Sequence, residues 1–246
     1  LFRLEKGASL SLTWKLTGGD REGTCVLAAY YELAEDARLH VSRLESGLTK
    51  TVIYDQRHSV LAARARADFY AAELGGEKII VHSYGKLSGD HSEMNERAIY
   101  AGRGKQHLDF FYHIDHVGKK TKAEIDIKGA LADESKKIFR GTLDFKRGCA
   151  GSVGDEGDFA IQLDPKTKNI SLPLLLCTED DVQVNHASSA GQLDQNTIYF
   201  LMSRGFTLEE ARRIVVEALI RPIIDGMDEA LREEVLNAVR MKLDRE

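Results

Sequence analysis

Between residues 10 and 176 apolar side chains recur at every second position in one short segment after another. Beyond Gly191 the spacing changes to about 3.6. A period of two belongs to a pleated strand with one buried face, and a period of 3.6 to an amphipathic helix. The chain therefore reads as mainly β with a C-terminal helical part. We place the boundary between residues 1–191 and 192–246.

The clearest strands are residues 10–16, 39–44, 64–69, 108–116, 123–127, 139–145, 159–163 and 172–176, with a short buried one at 79–81. Residues 90–97 are polar and read as a turn or an exposed edge. Gly148, Gly151, Gly154 and Gly157 match no phosphate-binding pattern and read as a loop. No Asn-Gly or Asp-Gly hairpin signal separates the strands, and no helices alternate with them as a βαβ sheet requires. Short strands with a loose recurrence of roughly two dozen residues suggest a solenoid. Periodicity alone leaves a parallel β-helix and a sandwich both open.

In the C-terminal part Asp194 can cap a helix bearing Ile198, Leu201 and Met202, which Gly205 ends. Thr207 and Glu210 have capping-box spacing. The helix after them sets Ile214, Val215, Ala218 and Leu219 on one face, and Pro222 kinks or ends it. Asp228 caps a last helix that aligns Leu231, Val235, Val239 and Leu243.

Composition excludes several functions. Net charge is −5 without a dense Lys/Arg run, which leaves nucleic acid no electrostatic footprint. No apolar run approaches the roughly 18–20 residues that cross a bilayer, and no secretory signal is visible. Cys25, Cys149 and Cys177 are far apart and form no disulfide framework, as expected of a cytoplasmic protein. The first residue is Leu1, so the numbered chain is expected to lack part of its N-terminus.

Residues 178–191 join the two patterns. They hold His186, beside Asn185 and near Ser188 and Ser189, in what reads as a turn. Cys177 lies just before them, and cysteine with histidine is the ligand chemistry of iron–sulfur and zinc sites. His113 and Asp115 share a strand face from which His116 points away, so the three cannot converge on one ion and read as structural polar groups. Asp180 and Asp181 are the one carboxylate pair that could suit a polysaccharide hydrolase, although strand neighbours face opposite ways.

Several pieces in order resemble the SufB/SufD family of iron–sulfur assembly scaffolds. They are Asp115-His116, Lys128-Gly129-Ala130, Phe139-Arg140-Gly141, Asp180-Asp181-Val182, His186, and Gly191-Gln192-Leu193-Asp194. Tyr199-Phe200-Leu201, Ser203-Arg204-Gly205 and Glu209-Glu210-Ala211 continue the match. The resemblance implies a right-handed parallel β-helix followed by a small α-helical domain. It further implies docking of a SufC-type ABC ATPase by the helices, and pairing through the β-helix with a SufB-like paralogue or with a second copy.

On the same resemblance His186 is the candidate cluster ligand and metal-binding residue; Cys177, which matches no family position, is a second candidate cluster ligand on its own chemistry alone. The iron–sulfur cluster would be assembled transiently rather than held as a resident cofactor. SufB-like members carry acidic flanks at this histidine and a cysteine in the preceding turn. Here the flanks are Asn185 and Ala187, and Gly157, Asp158 or a near neighbour stands in the preceding turn, which places the chain closer to SufD. A non-catalytic scaffold is the leading expectation. A β-helix carbohydrate-active enzyme and a structural β-solenoid adaptor are the alternatives.

Overall fold

Residues 1–244 are described by the computed structural model, and every strand pairing among them is parallel. The strands are β1 (Phe2–Leu4), β2 (Ser9–Gly18), β3 (Gly23–Leu33), β4 (Arg38–Gly47), β5 (Thr51–Leu61), β6 (Arg66–Glu73), β7 (Lys78–Leu87) and β8 (Glu93–Gly102). They continue with β9 (His107–His116), β10 (Lys122–Leu131), β11 (Lys136–Phe145), β12 (Ser152–Gln162), β13 (Lys168–Ser171), β14 (Leu174–Cys177) and β15 (Val182–Gln192). Successive strands alternate between two sheets as far as β13; named after those strands, the odd-numbered sheet also takes β14 and the even-numbered sheet β15. One runs β1-β3-β5-β7-β9-β11-β13 with β14 also on β11, and the other runs β15-β12-β10-β8-β6-β4-β2. This is a parallel β-solenoid. Its turns are longer than the sequence recurrence suggests: Arg66 reaches Glu93 and Thr121 reaches Ser152, 27 and 31 residues on.

The corners explain why no hairpin signals were found. At one corner Gly7, Asp36, Arg64, His91, Lys120 and Gly151 stack in successive turns, all with left-handed φ. Each sends its backbone N–H to a carbonyl of the following turn, as in Asp36 to Ala63 and Arg64 to Asp90. Non-glycine residues seldom adopt this conformation, and here the stacked hydrogen bond holds them in it. Between the sheets lies a core of Leu39, Val41, Phe69, Phe110, Ile125 and Phe139, among others.

Three helices follow: α1 (Gln195–Ser203), α2 (Leu208–Gly226) and α3 (Glu229–Leu243). Asp194 caps α1, Thr207 and Glu210 form the capping box of α2, and Asp228 caps α3, as the sequence predicts. Helices α2 and α3 lie on the outer face of the even-numbered sheet. There Val216, Ile220, Ile223, Leu231, Val235 and Val239 bury against Leu44, Ala72, Ile99, Ala101 and Ala130. Each such aliphatic side chain contributes about 1.5–3 kcal/mol when fully removed from water.

Four readings are corrected. Residues 93–97 are not a turn or an exposed edge but the start of β8, which lies between β6 and β10. Its Glu96 is polar yet buried, because the interior contains cations. Gly154 and Gly157 belong to β12 rather than to a loop; a Cβ on Gly154 would lie 2.8 Å from Leu143 and 2.9 Å from Phe145, so rings and methyls occupy that space. Residues 182–191 form strand β15, not a turn. The buried face of α2 is set by Val216, Ile220 and Ile223, because the helix is apolar on more than one side and the sheet selects one. Of the two outcomes left open at Pro222, a kink or an end, the end does not occur: α2 continues to Gly226.

Candidate functional site

His186 sits on β15, the last strand of the even-numbered sheet, and is paired in register with Glu156 of β12. Side chains alternate along β12, so Glu156 and Asp158 point between the sheets while Asp155 points out. Because no strand follows β15 in its sheet, His186 stands half-exposed over the open end of the interior. Its Nδ1 lies 3.6 Å from Glu156 Oε2, too far for a direct hydrogen bond. The two groups border a concavity of about 300 Å³, together with Glu124, Asp126 and Phe159.

Below the histidine the site is buried and charged. Burial, and then the neighbouring Asp158 carboxylate, pushes the Glu156 carboxyl up to about 7. A Cβ on Gly141 would fall 2.1 Å from Glu156 Oε1, so this glycine makes room for the carboxyl. Asp158 is ion-paired to Lys137, which is fully buried, and the Lys137 ammonium sits 5.0 Å over the Tyr100 ring. Burial lowers the Lys137 pKa, and Asp158 opposes that fall. Glu156 Oε1 and Asp158 Oδ2, two carboxyl oxygens in the chain of groups from His186 to Lys137, have no hydrogen-bond partner among the described residues.

Cys177 ends β14 in the other sheet, paired in register with Phe145. It is exposed, and its Sγ donates to the Glu179 carbonyl at 3.0 Å. No direct contact joins it to His186 among the described residues. Asn185 donates to Asp155 on the outer face. Asp180 and Asp181 are exposed, and the Asp181 carbonyl accepts the Gly151 N–H at the corner. His116 is fully buried, stacks on Phe145 at 4.1 Å and bonds through Nδ1 to Thr121 Oγ1; burial lowers its pKa to about 4, so it stays neutral.

Deeper between the sheets lies a ring of charges. Arg43 bridges Glu45 and Asp55, and Arg57 bridges Asp55 and Glu73, with contacts of 2.6–3.0 Å. Glu96 accepts from Ser83 and faces Arg57. Two guanidiniums therefore meet four carboxyls. Burial raises the pKa of Glu45 and of Glu96, and the neighbouring Glu73 carboxylate adds to the rise at Glu45. Sequence reasoning missed Glu156, Lys137 and this ring. Their available signal was charge at inward strand positions, such as Arg43 and Glu45 in an otherwise apolar alternation.

The family model described as the SUF system FeS cluster assembly, SufBD core domain, matches residues 1–219. The chain belongs to this family. Among curated relatives, the iron–sulfur cluster assembly protein SufD of Bacillus subtilis is 27% identical over 82% of this chain and 46% of its own length. An iron–sulfur cluster assembly SufBD family protein of Mycobacterium leprae is 26% identical over 84% of this chain and 55% of its own. SufD of Escherichia coli is 20% identical over 84% and 50%. This SufBD core thus spans about half the length of these three relatives. The family, the parallel β-helix and the likeness to SufD agree with the resemblance read from the sequence. No helix among the described residues is long and apolar enough to cross a membrane.

Proposed function

We propose that this SufBD core is a non-catalytic, cytoplasmic scaffold subunit that helps assemble an iron–sulfur cluster as cargo at the open end of its solenoid. One observation carries the proposal: an accessible imidazole, His186, on the edge strand β15, stands directly over a buried carboxyl, Glu156, of its one neighbour β12. A neutral imidazole is a good iron ligand. A carboxyl with a pKa near 7 can take up the proton released when a ligand binds metal. Cys177, exposed on the last strand of the other sheet, is the second candidate ligand.

An 11-residue edge strand is a ready template for another chain's strand. Beside it Leu172, Leu174, Leu175 and Leu176 are exposed on the end of the odd-numbered sheet. These features favour pairing with a SufB-like paralogue or a second copy, which would bring further ligands to an incomplete site. Helix α1 leaves Tyr199, Phe200 and Met202 exposed, with Phe206 beyond it, and this apolar surface is the proposed seat of a SufC-type ABC ATPase.

Anaerobic co-expression with a SufB-like subunit and the ATPase tests both parts. His186→Ala should leave the complex intact while cluster absorbance falls at least tenfold. Replacing Tyr199 and Phe200 by serine should release the ATPase. Cluster yield unaffected by His186→Ala removes the ligand assignment, and ATPase retained by the double variant removes the docking assignment.

A further inference from the structure

The outer face of the odd-numbered sheet, opposite the helices, carries a different chemistry from the interior. In register across four strands Tyr30, His58, Tyr84 and His113 form a column of rings, with centroids 4.9–5.5 Å apart. The column ends at two carboxylates. Asp115 follows His113 by two residues on β9 and so shares its face, and Asp144 of β11 pairs in register with Asp115. Both aspartates are buried, at 8% and 6% exposure.

The three donors are held in place by their neighbours. His113 stacks on Tyr84 at 5.3 Å, which fixes the ring plane, and its Nε2 lies 2.9 Å from Asp115 Oδ1. The Tyr84 hydroxyl donates to Asp115 Oδ2. One ligand atom from each of His113, Asp115 and Asp144 falls within a 4.8 Å sphere of mutual distances. Donors bound at about 2.0–2.2 Å in a tetrahedral or cis-octahedral arrangement lie about 3–3.6 Å apart, so closure asks the widest pair to approach by about an ångström. The cation position between the carboxylates is taken by the Lys146 ammonium, 2.5 Å from Asp144 Oδ2 and 3.6 Å from Asp115 Oδ1. Lys146 is 46% exposed, unlike its partners, so its flexible stem can swing the ammonium into water.

We propose that His113, Asp115 and Asp144 form a divalent transition-metal site whose cation position Lys146 occupies as a displaceable internal counter-ion. One imidazole nitrogen and two carboxylate oxygens suit Zn(II), Fe(II) or Mn(II), with the remaining coordination positions open to water. Tyr84 orients the Asp115 carboxylate from the outer shell, as partners of metal-bound groups commonly do. The site lies on the outside of the sheet and shares no residue with the His186 end. It stands or falls independently of the scaffold reading.

Zinc titration followed by calorimetry, with cobalt absorption as a second readout, tests it in a His186→Ala/Cys177→Ser background that removes the candidate cargo ligands. Lys146→Met should bind one equivalent of Zn²⁺ at least tenfold more tightly than the same background with Lys146. Adding His113→Ala or Asp144→Asn should weaken that binding at least tenfold. X-ray absorption of the zinc-loaded Lys146→Met form should fit one nitrogen and two carboxylate oxygens plus water. Since Asp144→Asn alters a buried group, His113→Ala on the surface side carries the result if the asparagine variant fails to fold. Absence of one-equivalent binding in Lys146→Met, or unchanged affinity after His113→Ala, would mean an ion-paired cluster and overturn the proposal.

Discussion

Glu156→Gln should remove a defined part of the protein's pH dependence. An ordinary glutamate titrates near 4.5, and burial beside Asp158 pushes this one up to about 7. Between those values the folded chain binds a proton that the unfolded chain does not. The resulting stability is fully present below about pH 4.5 and is lost as pH rises through about 7. The loss between about pH 5 and about pH 8.5 comes to about 2.5 kcal/mol. In a solenoid each turn contacts chiefly its neighbours, so the loss should concentrate in the last turns rather than spread through the molecule. Amide hydrogen exchange of β12 and β15, compared between wild type and Glu156→Gln at each pH, isolates the effect. Wild-type protection relative to the variant should fall by the equivalent of about 2.5 kcal/mol across that range. Equal pH dependence in the two proteins would refute the reasoning, because the proton would then reside elsewhere.

Lys137→Met leaves Asp158 buried without its cation and should cost about 3–5 kcal/mol, whereas Lys137→Met/Asp158→Asn should recover much of that. A double-mutant cycle by urea unfolding checks this, and additive losses would count against the buried pair. Ile220→Ala opens space where α2 meets the sheet and should cost about 2–5 kcal/mol in thermal or denaturant unfolding, with helical and β signals lost together.

Where one face of a strand met water and the other met aliphatic side chains, alternation was legible: β2, β10 and β11 follow the pattern of Leu10-Leu12, Ile125-Ile127 and Phe139-Leu143. It failed where the interior is ionic. Glu96 and Asn95 made β8 look like a turn, and no strand was assigned at β5, where Asp55, Arg57 and Ser59 point inward among apolar neighbours. The helix caps were legible because capping is local chemistry within four residues. The face of α2 was not, because the sheet that selects it lies elsewhere in the sequence. His186 was legible as a residue, but its partner Glu156 required the strand register, 30 residues away. Asp144 escaped for the same reason: it meets His113 and Asp115 only across the β9–β11 pairing.

The ring joining Arg43, Asp55, Arg57 and Glu73 links two successive turns of the solenoid. A stack lined by aliphatic residues alone would tolerate turns added one place out of order, since every layer would offer the next an equivalent oily surface. A guanidinium buried away from its carboxylates would instead leave an uncompensated charge, a penalty of several kcal/mol. The charged interior therefore works as a keyed joint: it gives the turns it links an address, so that this part of the coil winds in a single order.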